Sequence, residues 1–252
     1  MAVLNAFPDG VAQTTMRELC RFTRSGTFDP AQYPTADGLY DVYIVGGGGG
    51  GYKYRSHPSG NPVSGGGGGY AKLLKGLALS GTVAVTIGAA GQNGTNNTLT
   101  GSGSNAVTAK DGGATKFGGY GTANGGKCTN SYVTGGDGGC GGAGLGGSMG
   151  GVDGGDGTAG QNVSNSDGGN AGKGGGNKDY CPTNPYDGQH YGIGGNTFFV
   201  TTFSGNVQTK IGFPILNSNP GRAGSGWSEN YETGNSYPPL PGVCIIYGKP
   251  LE

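Results

Sequence analysis

The amino-acid sequence predicts an all-β protein in which a small antiparallel β-sandwich is combined with a bundle of polyglycine II helices, with little α-helix. Three observations carry this. Of 252 residues, 62 are glycine. Short alternating apolar stretches lie between turn residues. The glycines in the middle of the chain fall every third position.

Only 33% of the residues are hydrophobic, too few for an ordinary packed core to account for the whole chain. Low hydrophobicity with abundant glycine is also a mark of disorder, but charged residues make up just 12%, and 14 Tyr and 8 Phe are spread along the sequence, which favours order.

The chain opens with the turn Pro8-Asp9-Gly10 and then residues 11–20, where Val11, Thr15, Glu18 and Leu19 give a weak helical period and predict a short docking or capping helix. Strands follow. Residues 40–45, Tyr-Asp-Val-Tyr-Ile-Val, are aromatic and β-branched, and residues 82–87 alternate so that Val83, Val85 and Ile87 share one face. Residues 70–74, 114–117, 197–203, 207–211 and 243–247 have the same character. Strands from both ends of the chain must therefore meet in one β unit, with the glycine-rich middle inserted between them.

In that middle, Gly135, Gly138, Gly141, Gly144, Gly147 and Gly150 recur every third residue, and a second phase runs through Gly151, Gly154, Gly157 and Gly160. A period of three matches the extended left-handed helix with three residues per turn and no internal hydrogen bonds, whose partners must lie sideways. Collagen shares the period but is rich in proline, and none lies between Pro62 and Pro182. Glycine is then a packing residue, since a Cβ at the contact would keep neighbouring backbones from exchanging hydrogen bonds. Ordering so many glycines costs on the order of tens of kcal/mol, which a dense hydrogen-bond lattice must offset. The predicted organisation is an attachment or capping segment at 1–20 and one glycine-rich domain at 21–252. Its bundle lies mainly in 46–176, a loop-rich insertion in 177–241 and a closing strand in 242–248.

Fifteen basic and fifteen acidic residues cancel, and no basic stripe suits phosphates or anionic lipid, so neither nucleic acid nor a membrane surface is an expected partner. The first residues lack a positive region followed by an apolar one, and no run approaches 18 apolar residues, so neither a signal peptide nor a membrane span is expected. The odd, scattered set Cys20, Cys128, Cys140, Cys181 and Cys244 suits thiols made in a reducing cytoplasm, with a bridge among Cys128, Cys140 and Cys181 left open.

Chemistry is hard to place on this chain. Residues 46–51 form a glycine run after a strand, yet no helix follows to hold a pyrophosphate. Gly126-Lys127-Cys128 lacks the Ser or Thr of a phosphate loop. Asp137, Asp153 and Asp156 are spaced by sixteen and three, not by the nine residues of calcium-binding repeats. No paired metal ligands and no nucleophile elbow occur, so neither an enzyme nor a metal or cofactor is expected. Aromatics are the richer signal. Tyr180, Tyr186, His190, Tyr191, Trp227, Tyr231 and Tyr237 lie among Asn, Ser and Gly, the mixture that recognition loops use. The competing reading is that these rings cover the sheet or plug the bundle ends.

Residues 22–28, Phe-Thr-Arg-Ser-Gly-Thr-Phe, then 40–45 running into the glycines at 46–51, resemble the opening of the glycine-rich domains of bacteriophage tail fibre tip adhesins. Residues 65–71, 82–91, 112–120 and 123–126 match in order, and residues 241–247, Pro-Gly-Val-Cys-Ile-Ile-Tyr, look like the closing strand. The resemblance spans about 21–247. It implies a β-sandwich joined to polyglycine II rods whose connecting turns touch the host surface, although glycine-helix arrays are not confined to phages. The segment 177–241 departs from the shortest family pattern and is a candidate for the specificity-bearing insertion. The expected function is a non-enzymatic virion adhesin, assembled in the host cytoplasm, that binds a bacterial surface glycan or protein and other fibre proteins. A symmetric homo-oligomer such as a trimer fits. The alternative is a structural fibre or tail component that touches only its neighbours.

Overall fold

The computed structural model describes residues 15–55, 65–97, 107–129, 136–139, 162–164, 170–172, 183–194, 199–203, 207–211, 220–223, 227–228 and 238–251. Two four-stranded antiparallel sheets form a sandwich. The first has the order β1 (Arg17–Phe22), β15 (Val243–Gly248), β3 (Leu39–Val45), β5 (Ala71–Ala78). The second has the order β2 (Gly26–Phe28), β6 (Val83–Thr86), β8 (Thr115–Phe117), β9 (Gly121–Ala123). The fold is all-β. Among the described residues the one helical element is a 3-10 turn at Pro30–Gln32, capped by the Asp29 carboxylate.

The strands expected at 40–45, 70–74, 82–87, 114–117, 207–211 and 243–247 are present within a few residues of those bounds. The helix expected over residues 11–20 is not. Residues 17–20 belong to β1, which pairs antiparallel with β15, Arg17 opposite Gly248 and Phe22 opposite Cys244. A weak helical period loses here to a row of backbone partners on a buried strand. Residues 11–14 of that expectation lie outside the described residues.

Alternation divides the apolar residues between two cores. On β3, Tyr40, Val42 and Ile44 point between the sheets, where they meet Phe28, Leu74, Val83, Val85, Phe117, Cys244 and Ile246. Tyr43 and Val45 face the other way, with Val243, Ile245 and Tyr247 of β15. The central strands of the first sheet, β3 and β15, are thus buried on both faces.

Where the apolar strands end, glycine begins, and each layer of the sandwich continues as a layer of extended segments. In the first, Gly48 N–H donates to Leu240 at 2.9 Å, Gly46 to Tyr70 at 2.9 Å and Gly49 to Gly67 at 2.9 Å, so 238–242, 46–51 and 65–70 keep the order β15, β3, β5. In the second, Gly113 donates to Ala89 at 2.8 Å and Gly112 to Gly126 at 2.9 Å, so 88–94, 107–113 and 124–129 keep the order β6, β8, β9. These two layers also bond to each other directly, Gly47 to Gly113 at 2.9 Å and Gly50 to Lys110 at 3.0 Å. A third layer contains 136–139, 192–194 and 220–223, reached through Gly69 to Gly221 at 2.8 Å and Gly139 to Gly68 at 3.0 Å.

Within residues 46–50 the donors rotate. Gly46 and Gly49 address 65–70, Gly47 and Gly50 address 110–113, and Gly48 addresses Leu240, so the direction repeats every three residues. No side chain fits between these segments. A Cβ on Gly47 would lie less than 3.0 Å from the Ala89 carbonyl and one on Gly49 less than 3.0 Å from that of Lys127, in each case against backbone that cannot swing aside. Residues 46–51 and 65–69 are all buried.

Beyond Gly51, β4 (Tyr52–Arg55) runs parallel to β7 (Gly94–Asn97) and to β14 (Trp227–Ser228). Parallel pairing follows from the layout, because segments 46–51 and 88–94 both run away from the sandwich. Two hairpins complete the described strands, β10 (Asn162–Ser164) with β11 (Asn170–Gly172), and β12 (Phe199–Phe203) with β13 (Val207–Ile211).

Gly47→Ala or Gly49→Ala is expected to cost more than about 3 kcal/mol in denaturant unfolding, at or beyond the upper end of overpacking penalties. Gly81→Ala and Gly119→Ala, whose added methyl meets nothing within 4 Å, should stay within about 0.5 kcal/mol of the parent. Equal tolerance at all four positions would contradict the close-packed arrangement.

Candidate functional site

Two regions hold the residues singled out as candidates for recognition. The first is the loop 183–194, built on the turn sequence Asn184-Pro185-Tyr186-Asp187-Gly188, in which Gly188 takes φ 68°. Asn184 N–H donates to the Gln189 carbonyl at 2.9 Å, Gly188 N–H to the Asn184 carbonyl at 2.9 Å, and Asp187 accepts from the Gln189 N–H at 2.8 Å. The result is a tight hairpin. It lies on the outer face of the first sheet.

Tyr191 is 2% exposed, its ring 5.6 Å from that of Tyr43. The Tyr186 ring is 4.5 Å from Tyr247, and its hydroxyl donates to Asp41, which also accepts from Gly76 N–H at 2.7 Å. Asn184 is fully buried and donates through Nδ2 to the Tyr247 hydroxyl at 2.7 Å. Burial pushes the Tyr247 phenol up to about 12, and the Tyr186 phenol is raised as well, by burial and by its bond to Asp41. The phenols of Tyr186, Tyr191 and Tyr247, all raised first of all by burial, stay neutral at physiological pH.

Arg21 on β1 closes the arrangement. Its guanidinium donates to both oxygens of Glu18, at 2.9 and 2.7 Å, and to the Tyr191 hydroxyl at 3.2 Å. Tyr191 in turn donates to Asp187 at 2.8 Å, and Arg21 lies 3.7 Å from the same carboxylate. The bond to Glu18 is the main reason the Arg21 pKa is raised and the Glu18 pKa lowered. This polar clasp fastens the hairpin to the edge of the sheet.

These contacts correct part of the sequence reading. Tyr191 is an anchor of the sheet cover and is not exposed for recognition, and Tyr186 spends its ring and hydroxyl on the sheet as well. A flat apolar face left by Tyr43, Val45, Ile245 and Tyr247 needed a cover, and these two rings supply it. His190 stands at the edge of the hairpin, its Nδ1 3.1 Å from the Thr183 hydroxyl. Trp227 is carried by β14 at the other end of the molecule. Tyr180, Tyr231 and Tyr237 lie outside the described residues. Of the periodic glycines, Gly138 packs against the Gly68 backbone, and Gly135, Gly141, Gly144, Gly147 and Gly150 lie outside the described residues.

The second region is the end of the glycine-rich layers away from the sandwich. There β14, β4 and β7 lie side by side, and 56–64, 98–106 and 229–237 continue from their ends. Near it Asp111 accepts from Lys127 Nζ at 2.8 Å and from Cys128 N–H at 2.7 Å, tying two neighbouring segments together. Burial pushes the Cys128 thiol up to about 11, so it is no nucleophile at neutral pH. Cys20 and Cys244 are free thiols, and Cys140 and Cys181 lie outside the described residues. Among the described residues no group of three or more His, Cys, Asp or Glu side chains gathers to hold a metal ion.

The fold is an all-β sandwich whose two sheets continue into layered glycine-rich segments. The chain belongs to the glycine-rich domain family, whose model matches residues 23–246. Comparison with curated proteins finds no match.

Two tests address the clasp. Tyr191→Phe, which removes one hydroxyl between Arg21 and Asp187, should lower stability by about 1 kcal/mol with the fold retained. Because the Glu18 pKa is lowered in the folded state, its contribution is fully present above pH 4.5 and is lost as pH falls through the lowered value. Unfolding titrations of the parent should show that acid loss, and Arg21→Met should flatten it. An unchanged slope would remove Arg21 as its cause.

Proposed function

We propose that the protein is a non-enzymatic adhesin of a phage tail fibre, which displays loops on a rigid glycine-rich scaffold to bind a bacterial surface receptor. Its glycine-rich segments act as polyglycine II rods, a reading supported by the three-residue rotation of donors along residues 46–50. The observation that carries the functional reading is the layout of the chain. Segments 46–51, 88–94 and 124–129 leave the sandwich and 65–70 and 107–113 return to it, so their outer ends gather at one far end. Loops held at the end of a stiff base lose little entropy on binding, and several copies on one particle add avidity.

The burial of Tyr191 and the packing of half-buried Tyr186 on the sheet favour a receptor surface away from residues 183–191 and toward this far end, where Trp227 sits. A glycan or a surface protein suits such loops. The protein would act on the virion, after assembly in the host cytoplasm with other fibre proteins and sister copies.

Fluorescently labelled protein applied to a panel of bacterial strains tests the proposal, beside a variant in which 56–64 and 98–106 are replaced by Gly/Ser linkers of equal length. Strain-selective binding, lost in the variant while its thermal unfolding is unchanged, is the expected result. Folded parent protein that binds no strain, the host included, would replace the adhesin with a structural fibre component.

A further inference from the structure

The end of the glycine-rich layers away from the sandwich holds a sheet to which all three layers contribute. β4 continues segment 46–51, β7 prolongs 88–94 and β14 follows 220–223. They run parallel in the order β14, β4, β7, and β12 approaches β14. In a parallel sheet, residues paired across strands share a face, and residues alternate between faces along each strand. One face therefore has Trp227, Lys53 and Thr95 in a single row, because Lys53 pairs with both of the others, and Arg55 beside Asn97 in the next row. The other face has Tyr52 beside Gly94, and Tyr54 between Ser228 and Asn96. The three strands contain two cations and no carboxylate, and both cations belong to the first face.

Neighbouring strands lie about 4.8 Å apart and residues two apart on one strand about 7 Å, so the row from Trp227 to Thr95 spans about 10 Å, with Arg55 about 7 Å from Lys53. That is the footprint of a short stretch of saccharide. Indole offers a flat apolar surface to the C–H face of a sugar ring, ammonium and guanidinium recognise carboxylate or phosphate, and Thr and Asn bond hydroxyls. A neutral sugar has nothing to match two cations on one face. Nucleic acid needs many more phosphate contacts than two cations supply, and the chain as a whole has a formal net charge of zero.

We propose that the face bearing Lys53, Arg55, Thr95, Asn97 and Trp227 is the contact surface for an acidic saccharide, one whose sugars carry carboxylate or phosphate groups. The inference rests on the adhesin reading above and names the chemistry of its receptor. Carboxylate and phosphate share what the two cations recognise, a charged oxygen group on a sugar. A sugar ring over the Trp227 position would bring its substituents to the Lys53 position, one strand away.

The test uses the full chain, a bacterial strain that the labelled parent stains, and surface polysaccharide extracted from that strain and immobilised. The polysaccharide is presented intact, after carbodiimide and borohydride reduction of its carboxylates, and after removal of its phosphates with hydrofluoric acid. Parent binding should weaken as salt is raised and fall by at least about tenfold after one of the two treatments, which then identifies the anion. Lys53→Gln/Arg55→Gln and, separately, Trp227→Ala should each weaken binding to the intact polysaccharide by at least about tenfold with thermal unfolding unchanged. Lys75→Gln/Lys116→Gln, which removes the same charge from exposed positions on the sandwich, should bind like the parent. Folded Lys53→Gln/Arg55→Gln protein that binds like the parent overturns the proposal, as does undiminished binding after both treatments. Staining that survives periodate oxidation of the cell surface but is lost on protease shaving also overturns it, since the receptor is then a protein, and leaves the adhesin reading standing. Folded parent protein that stains no strain, the host included, sinks the adhesin reading and this receptor chemistry with it.

Discussion

Backbones can hydrogen-bond across layers only where no side chain stands between them, and the rest of this structure depends on that constraint. In the sandwich, Phe28, Val42, Ile44, Phe117 and Ile246 hold the two sheets apart and fill the space. At Val45, Ala71 and Val243 the side chains give way to glycine, and the same layers come into direct contact through Gly47, Gly50 and Gly126. Each N–H so satisfied contributes only about 0.5–1.5 kcal/mol net, close to the extra cost of ordering a glycine. Rigidity therefore comes from the number of such bonds and from burial of the whole segment, not from any one of them. A methyl group at one inner position removes several contacts together.

The first sheet shows how the same chain solves a second problem. Extending its strands into the middle layer leaves Tyr43, Val45, Ile245 and Tyr247 facing away from the sandwich core. The hairpin 183–191 covers them with Tyr186 and Tyr191 and is fastened by Asn184, Asp41, Asp187 and Arg21. That cover continues directly into 192–194 of the third layer, where Gly192 takes φ 61° to turn into it. Sheet cover and glycine packing are one continuous piece of chain.

Much of the fold was legible in the sequence because β-branched and aromatic runs such as 40–45, 82–87 and 243–247 have few alternatives, and because the glycines beside them at 46, 88 and 242 mark where the sheets give way to closely packed backbone. β1 was misread as helix. Its partner, β15, lies more than two hundred residues away, and no local pattern reports such a pairing. The short strands β4 and β7 were passed over, since Tyr52–Arg55 and Gly94–Asn97 owe their conformation to segments 46–51 and 88–94 running side by side. For the site, composition found the aromatic residues but not their direction. The turn sequence at 184–188 signalled a hairpin, yet only the two-sided burial of β3 and β15 explains why its tyrosines turn inward. Arg21, Asp41 and Asp187 carried no signal of their own, because a clasp is made by residues brought together from three distant parts of the chain.

Amide hydrogen exchange read by mass spectrometry tests the central claim, that the glycine-rich segments are a packed scaffold, most directly. The account predicts that amides of residues 46–51 and 65–69 are protected to the same degree as those of Leu39–Val45 and Val243–Gly248 and exchange only on global opening. Exchange of the glycine amides at the rate of an unfolded chain, while the two sheets remain protected, would contradict it and make those segments linkers instead of a packed scaffold.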